Sequence, residues 1–419
     1  MGMNRNILIV LLLALPLFLY AEKQTSISLY NVFTDSHKLD NSVLSQAEND
    51  QYFGEVAVQA IATPSLSYQE NFQADGKLNL FFSKFYDTSS PDISIREAYI
   101  DFLFNNCFSI KSGFQSIDYG YNSYFHPLNI IEFVPEFRNI YNNITLGNDS
   151  QGYKGVPSVK FSYAVPEFID SLKLTLEQTM CWFNNTNLMN NYYISRLNTI
   201  YGNYSFGVLT GYYGNSFTTN KDRTLPVYGA NLSVGLPWNI YLFTECLYKQ
   251  ESYRYLVEND TITNKRENTG FCNVNARLEV TNDSPVFTQN TFSFQFEYFY
   301  YGEGYTKKSY DSAYKFISSS SLNLSTYGPQ LLIYERNFMN NIYTSFTYNI
   351  KDRISLGYVL KMEVEPQTYY HEFDLMKVFD QANASIKFGL VYISYSQEKY
   401  RIVTGAQNWQ GYLSFYLDI

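Results

Sequence analysis

The chain has 419 residues and a formal net charge of -9, from 30 Lys and Arg against 39 Asp and Glu. That balance argues against the basic stripes of a nucleic-acid binder, and a mean hydropathy of -0.25 argues against a bundle of membrane helices. Aromatic residues are abundant at 18% (41 Tyr, 33 Phe) while charged residues reach only 16%, a balance shared by membrane β-barrels, with their interfacial aromatic girdles, and by secreted β-sandwiches or adhesins.

Met1–Ala21 reads as a secretory signal: Arg5 near the start, an apolar run from Ile7 to Leu19, then Ala21 at a small-residue cleavage site. The stretch 22–51 is polar, rich in Ser, Asn and Asp, and reads as a lead-in with no assigned structure. From residue 52 to 419 the dominant period is two, the period of a strand whose successive side chains alternate between faces. No segment after the signal has the roughly 18 continuous apolar residues of a spanning helix.

The alternation is strict over Ile93–Gln115. Ala98, Ile100, Phe102 and Phe104 oppose Glu97, Tyr99, Asp101 and Leu103. After Asn105-Asn106, which predicts a two-residue hairpin turn, Phe108, Ile110 and Phe114 oppose Ser109, Lys111, Gly113 and Gln115. The pattern then stops and resumes near Ser158, which predicts a long insertion. Val159, Phe161, Tyr163 and Val165 oppose Ser158, Lys160 and Ser162, and Leu172, Leu174, Leu176 and Met180 oppose Lys173, Thr175, Glu177 and Thr179. Farther on, Phe292–Tyr298 opposes Ser293, Gln295 and Glu297, and Ile354–Met362 opposes Ser355, Gly357, Lys361 and Glu363. Arg277, Glu279 and Lys387 also sit in mid-strand. At the end of the chain, Leu413, Phe415, Leu417 and Ile419 share one face, like the closing strand that the barrel-assembly machinery reads.

These registers predict an all-β fold, a closed antiparallel transmembrane β-barrel of about 16–18 strands. Many strands run nine to twelve residues, close to the length a tilted membrane strand needs. Long connections are predicted at 116–157, 249–270, 301–314 and 365–380, alternating with tight turns. The charges around Lys249, Glu251, Arg254, Glu258 and Lys265 read as a solvated face. In such a barrel the polar face would meet a water-filled lumen. The predicted pore-lining residues are Glu97, Tyr99, Asp101, Lys111, Gln115, Asp118, Arg138, Lys160, Lys173, Glu177, Arg277, Glu279, Glu297, Lys361 and Glu363.

Catalytic signals are sparse. His371 beside Glu372 and Asp374 is a fragment of a possible rim hydrolase, weighed against a solvated loop. No phosphate loop, dinucleotide fingerprint or zinc-protease motif occurs, so no enzyme, metal or cofactor is expected. Cys107, Cys181, Cys246 and Cys272 are far apart in sequence and fall in predicted strands. They read as small hydrophobes or lumen fillers, with one or two disulfides as the alternative.

The stretch Arg96-Glu97-Ala98-Tyr99 with Asp101, then Gly113-x-Gln115, Gly120 and Pro127-Leu128-Asn129, resembles the signature hairpin of alginate-export-type porins and their uncharacterised porin relatives. Tyr119 stands where that signature has a tryptophan. The resemblance implies that Glu97, Asp101, Lys111 and Gln115 line the lumen, and that the insertion from Asp118 to Pro135 folds inward with Arg138 facing its charges.

The resulting expectation is an outer-membrane channel for passive diffusion of small hydrophilic solutes or ions in a bacterium of the Gram-negative type. Its partners would be outer-membrane lipid, the solutes and the barrel-assembly machinery, with a homo-oligomer left open and no nucleic acid. The alternative is a non-conducting barrel acting as adhesin or scaffold through its loops.

Overall fold

The structure is a computed structural model. It describes residues 22–36, 51–68, 72–85, 92–115, 117, 119–120, 125, 127–128, 156–166, 172–182, 191–214, 224–252, 256–258, 261–263, 266–282, 290–319, 338–351, 353–365, 367–379, 384–394 and 409–418. The signal segment 1–21 lies outside these residues.

Five strands precede the insertion: β1 (Glu22–Ser36), β2 (Gln51–Tyr68), β3 (Phe72–Phe85), β4 (Asp92–Phe104) and β5 (Phe108–Gln115). Six follow it: β6 (Val156–Val165), β7 (Leu172–Trp182), β8 (Asn191–Tyr201), β9 (Tyr204–Gly214), β10 (Thr224–Leu236) and β11 (Ile240–Ser252). A separate hairpin of β12 (Leu256–Glu258) and β13 (Thr261–Thr263) leads to β14 (Arg266–Asn282) and β15 (Asn290–Tyr301). Helix α1 (Lys307–Ser319) is followed by β16 (Asn340–Ile350), β17 (Ile354–Glu363), β18 (Thr368–Phe379), β19 (Ala384–Ser394) and β20 (Trp409–Asp418).

Apart from β12 and β13, these strands form one 18-stranded antiparallel sheet in which each strand pairs with the next in sequence. β1 pairs with β2 and also with β20, from Ser28 opposite Asp418 to Ser36 opposite Gln410. Ladder hydrogen bonds therefore continue from the last strand to the first, which is how a barrel avoids exposing strand edges. Among the described residues no helix is long and apolar enough to cross a membrane.

Four local expectations need correction. Glu22–Ser36 is a full strand, because Ile27 and Leu29 alternate with Ser26 and Ser28 beneath an otherwise polar composition. The segment read as a connection at 365–380 is mostly β18, whose Tyr369, His371, Phe373 and Leu375 alternate with Tyr370, Glu372 and Asp374. Helix α1 was hidden in a chain dominated by period two. It starts at a Thr306 cap, where the Ser309 amide donates to Thr306 Oγ1 at 3.2 Å, and buries Tyr310 and Ala313. Cys107 lies in the β4–β5 turn rather than in a strand. The turn itself is as the sequence suggests: Asn105 and Asn106 both have positive φ (48° and 54°), which this tight hairpin requires and Asn tolerates.

The outer face carries the exposed apolar side chains. One cross-strand row runs through Leu278, Phe294, Phe346, Tyr358, Phe373 and Leu390. Tyr204 and Tyr212 mark the two ends of β9 on this face, with Phe206 and Val208 exposed between them, roughly 26 Å of strand at about 3.3 Å per residue. Trp238, in the β10–β11 turn, is 84% exposed.

The packed hydrophobic core lies on the opposite, inner face. Leu209, Val227, Leu247, Phe271, Phe299 and Tyr301 point inward from the wall and meet Ile117, Tyr119, Phe125 and Leu128 of the insertion. The sequence reading expected an all-polar inner face. The structure makes part of it apolar because the insertion needs a dry surface to pack on.

Gly113 shows how closely β4 and β5 approach. Its φ is +135°, and a Cβ there would lie 2.3 Å from the Ala98 carbonyl oxygen and 2.7 Å from Tyr99 Cα. Gly113→Ala is therefore expected to destabilise the barrel by about 1–3 kcal/mol. The check is the temperature at which the folded form loses its characteristic mobility on a detergent gel, which should fall.

Candidate functional site

The site is built from two parts: the described residues of the insertion between β5 and β6, and the charged inner wall beside them. Residues 117, 119–120, 125 and 127–128 of the insertion are described, and they reach from β7 to β15 across the inner face. Near β7, Tyr119 Oη donates to Thr179 Oγ1 at 2.6 Å, and the Arg196 guanidinium lies 5.5 Å from the centre of the Tyr119 ring. Burial pushes the Tyr119 phenol well above its ordinary range, so it stays a neutral donor. Asn231 of β10 donates to the Tyr119 carbonyl at 3.2 Å. Leu128 packs over Gly229, where a Cβ would come within 2.5 Å of Leu128 Cδ2. Glycine at that wall position makes the close seating possible.

The far anchor is Glu297 on β15, which has no exposed surface. Its carboxylate accepts from the Phe125 amide at 3.1 Å, from Asn273 Nδ2 at 3.3 Å and from Asn275 Nδ2 at 3.1 Å, and also from Gln295 Nε2. Asn273 turns the same amide group toward the Phe125 carbonyl at 2.8 Å, and the Phe125 ring stacks on Phe299 with centroids 4.6 Å apart. Both backbone polar groups of Phe125 are thus satisfied by the wall. A buried carboxylate surrounded by N–H donors fixes geometry, because losing any one partner leaves a polar group buried at a cost of about 1–3 kcal/mol.

The inner wall beside the insertion is charged. Asp75, Asp101, Lys111 and Lys160 form one cross-strand row over β3–β6. Lys160 pairs with Glu177 at 2.5 Å, and Arg196 approaches the same carboxylate at 3.6 Å. Lys77 pairs with Glu97, and Lys111 sits 3.7 Å above the Tyr99 ring. Around the ring, Lys387 lies 3.7 Å from Asp374 and 4.0 Å from Glu372, and Lys361 lies 4.6 Å from the Tyr370 ring centre. On the inner face, basic side chains outnumber acidic ones on β5–β8 (Lys111, Lys160, Lys173 and Arg196 against Glu177), while carboxylates outnumber Lys361 on β17 and β18 (Glu363, Glu372 and Asp374).

The sequence-predicted residues divide accordingly. The register puts Glu97, Tyr99, Asp101, Lys111, Lys160, Lys173, Glu177, Arg277, Glu279, Lys361 and Glu363 on the inner face. Arg277 and Glu279 pair at 2.5 Å and remain 38% and 45% exposed. Glu297 and Gln115 also face inward, but both are buried: Glu297 holds the insertion, and Gln115 donates to the Ser158 carbonyl at 3.2 Å. Asp118 and Arg138 lie outside the described residues. Sequence reasoning missed Asp75 and Lys77, whose spacing of two on β3 was the available signal. It also missed Arg196, because β8 carries apolar residues on both faces, and Glu372 and Asp374, because they were read as loop.

Two other readings change. Lys249 pairs with Glu303 at 3.3 Å and Glu251 is buried, so these two charges belong to an ordered rim and not to a solvated face, while Arg254 and Lys265 lie outside the described residues. His371 is on the outer face, with Tyr358 Oη 3.0 Å from Nδ1 and the Tyr369 and Tyr392 rings nearby. Strand alternation points Glu372 and Asp374 the other way, so the three side chains do not converge.

No family model matches the sequence, and no curated protein matches it. Solved structures do share the architecture. The chain is similar to a BenF-like porin from Pseudomonas fluorescens Pf-5 (TM-score 0.55, 9% identity, covering 95% of this chain and 98% of that one). It is similar to Pseudomonas aeruginosa OccK2 (OpdF) with a TM-score of 0.54 at 7% identity, covering 95% and 98%. It is also similar to Acinetobacter baumannii OccAB1 with a TM-score of 0.53 at 10% identity, covering 96% and 98%. The fold is that of a porin-like β-barrel.

The Phe125 amide is expected to exchange its hydrogen slowly while Glu297 accepts it. Glu297→Ala should speed that exchange by roughly 10–100-fold, the range for losing a hydrogen bond to a charged group. Site-resolved hydrogen exchange on the detergent-folded protein is the check.

Proposed function

We propose that this chain is an outer-membrane channel that lets small hydrophilic solutes and ions cross by passive diffusion. The observation that carries the reading is the insertion pinned across the inner face of an 18-stranded ring, opposite a wall of charged side chains. A ring of this size encloses an aqueous lumen, and the insertion narrows it. Passage is then governed by the remaining width and by the field between the basic side chains of β5–β8 and the carboxylates of β17 and β18.

The outer face supports a membrane setting. Exposed aliphatic and aromatic side chains lie between Tyr and Trp residues at the strand ends, the pattern of a lipid-facing band with its girdles. The signal segment 1–21 would carry the chain out of the cytoplasm, and its alternating C-terminal strand would be read by the barrel-assembly machinery. The similarity to solved porins, such as the BenF-like porin, supports the same reading. The hairpin resemblance to alginate-export-type porins supports a channel and leaves the solute open. The second reading, an adhesin or scaffold, draws on the ordered rim where Tyr305, Tyr310, Phe338 and Val257 are buried together.

Planar-bilayer recording of the refolded protein separates these readings. Stepwise currents are expected, and a folded, membrane-inserted protein that passes no current would rule the channel out. Replacing Glu97 with Gln and Asp101 with Asn removes the carboxylate paired with Lys77 and the one facing Lys111 across β4–β5. The cation-to-anion permeability ratio read from reversal potentials should then fall several-fold, the size expected for about 1 kcal/mol of altered ion interaction.

A further inference from the structure

We propose that Cys246 and Cys272 form a disulfide that staples β11 to β14 on the outer face of the barrel. The two residues are direct register partners, and their sulfurs lie 2.7 Å apart. Directly opposite residues of an antiparallel pair have Cα atoms about 4.5–5.5 Å apart, within the span of about 4.4–6.8 Å that a disulfide bridges. Both side chains are half-buried on the lipid-facing side, between Ala230 on β10 and Tyr300 on β15. Many other positions on this face are Leu, Val, Phe or Tyr, which cover more surface than a thiol. Two of the four cysteines of the chain are nonetheless placed side by side across one strand pair.

The geometry allows one bridge and not two. Cys181 is fully buried on the inner face, opposite Ser158. Cys107 sits in the β4–β5 turn, where its carbonyl accepts from the Ala164 amide at 2.7 Å, at the other end of β6. Neither can reach the outer pair or the other. The bridge would join the strands on either side of the 253–265 connection, whose hairpin is tied to the rim by the Val257 amide donating to Tyr305 Oη at 3.1 Å.

Formation is an exchange reaction. The Cys246 and Cys272 thiols give up two electrons and two protons to the disulfide of an exported thiol–disulfide oxidoreductase, which leaves as a dithiol while the S–S bond forms. The oxidising compartment is the part that rests on the outer-membrane reading.

The test treats cells with a permeant alkylating reagent at harvest, isolates the protein from the outer-membrane fraction, unfolds it in fresh alkylating reagent and maps its cysteines by peptide mass spectrometry. The expected result is a Cys246–Cys272 linked peptide, cleaved by reductant, with Cys107 and Cys181 alkylated. In Cys246→Ser, Cys272 should become alkylated. Four alkylated cysteines in outer-membrane protein would overturn the disulfide and leave the channel reading intact. A link that survives Cys246→Ser would also overturn it. Recovery of the wild-type chain in the cytosol with four alkylated cysteines would overturn both.

Discussion

Glu297 is the group on which the interior arrangement depends. A long insertion has no intrinsic reason to stay inside a wide barrel, since its backbone could be satisfied by water. One buried carboxylate removes that freedom. It gathers amide N–H groups from Asn273, Asn275 and Gln295 on the wall and one from Phe125 on the insertion. Asn273 then returns a bond to the Phe125 carbonyl. The wall donors Asn273, Asn275 and Gln295 are neutral amides on β14 and β15, so the wall presents a receptor for one peptide unit.

Apolar burial supplies the affinity that these polar contacts direct. Phe125, Leu128, Tyr119 and Ile117 are buried against Leu209, Val227, Leu247, Phe271 and Phe299, each contributing about 1.5–3 kcal/mol when fully removed from water. The packed core therefore lies inside the barrel, between the insertion and one sector of the wall. The adjoining sector, β3–β6, carries Asp75, Lys77, Glu97, Asp101, Lys111 and Lys160 on its inner face. On the proposed channel reading, docking of the insertion decides which of these charges line the passage.

The period of two made the barrel legible, because it follows from strand geometry alone and survives in almost any lipid-facing strand. The charged face of β4–β7 was legible for the same reason: Glu97, Asp101, Lys111, Lys160 and Glu177 alternate with bulky apolar neighbours. The signal failed where a strand is buried on both sides. β8 and β10 present Ile194, Val227 and Leu225 to the insertion as well as Tyr193 and Leu232 to the outside, so alternation in hydropathy disappears and Arg196 passes unnoticed. Glu297 illustrates a different limit. Its inward direction could be read, but its role could not, because its partner lies 172 positions away at Phe125. Helix α1 was obscured for a third reason, since Tyr310 and Ala313 mark a helical face only once the rim gives them something to cover.

Single-channel conductance of Glu297→Ala, measured beside the wild type under the same salt, tests the central claim most directly. If the insertion narrows the lumen and Glu297 holds it there, the variant should show a larger and noisier conductance with the barrel still folded. An unchanged conductance from a folded Glu297→Ala barrel would show that the insertion held by Glu297 does not set the width of the passage.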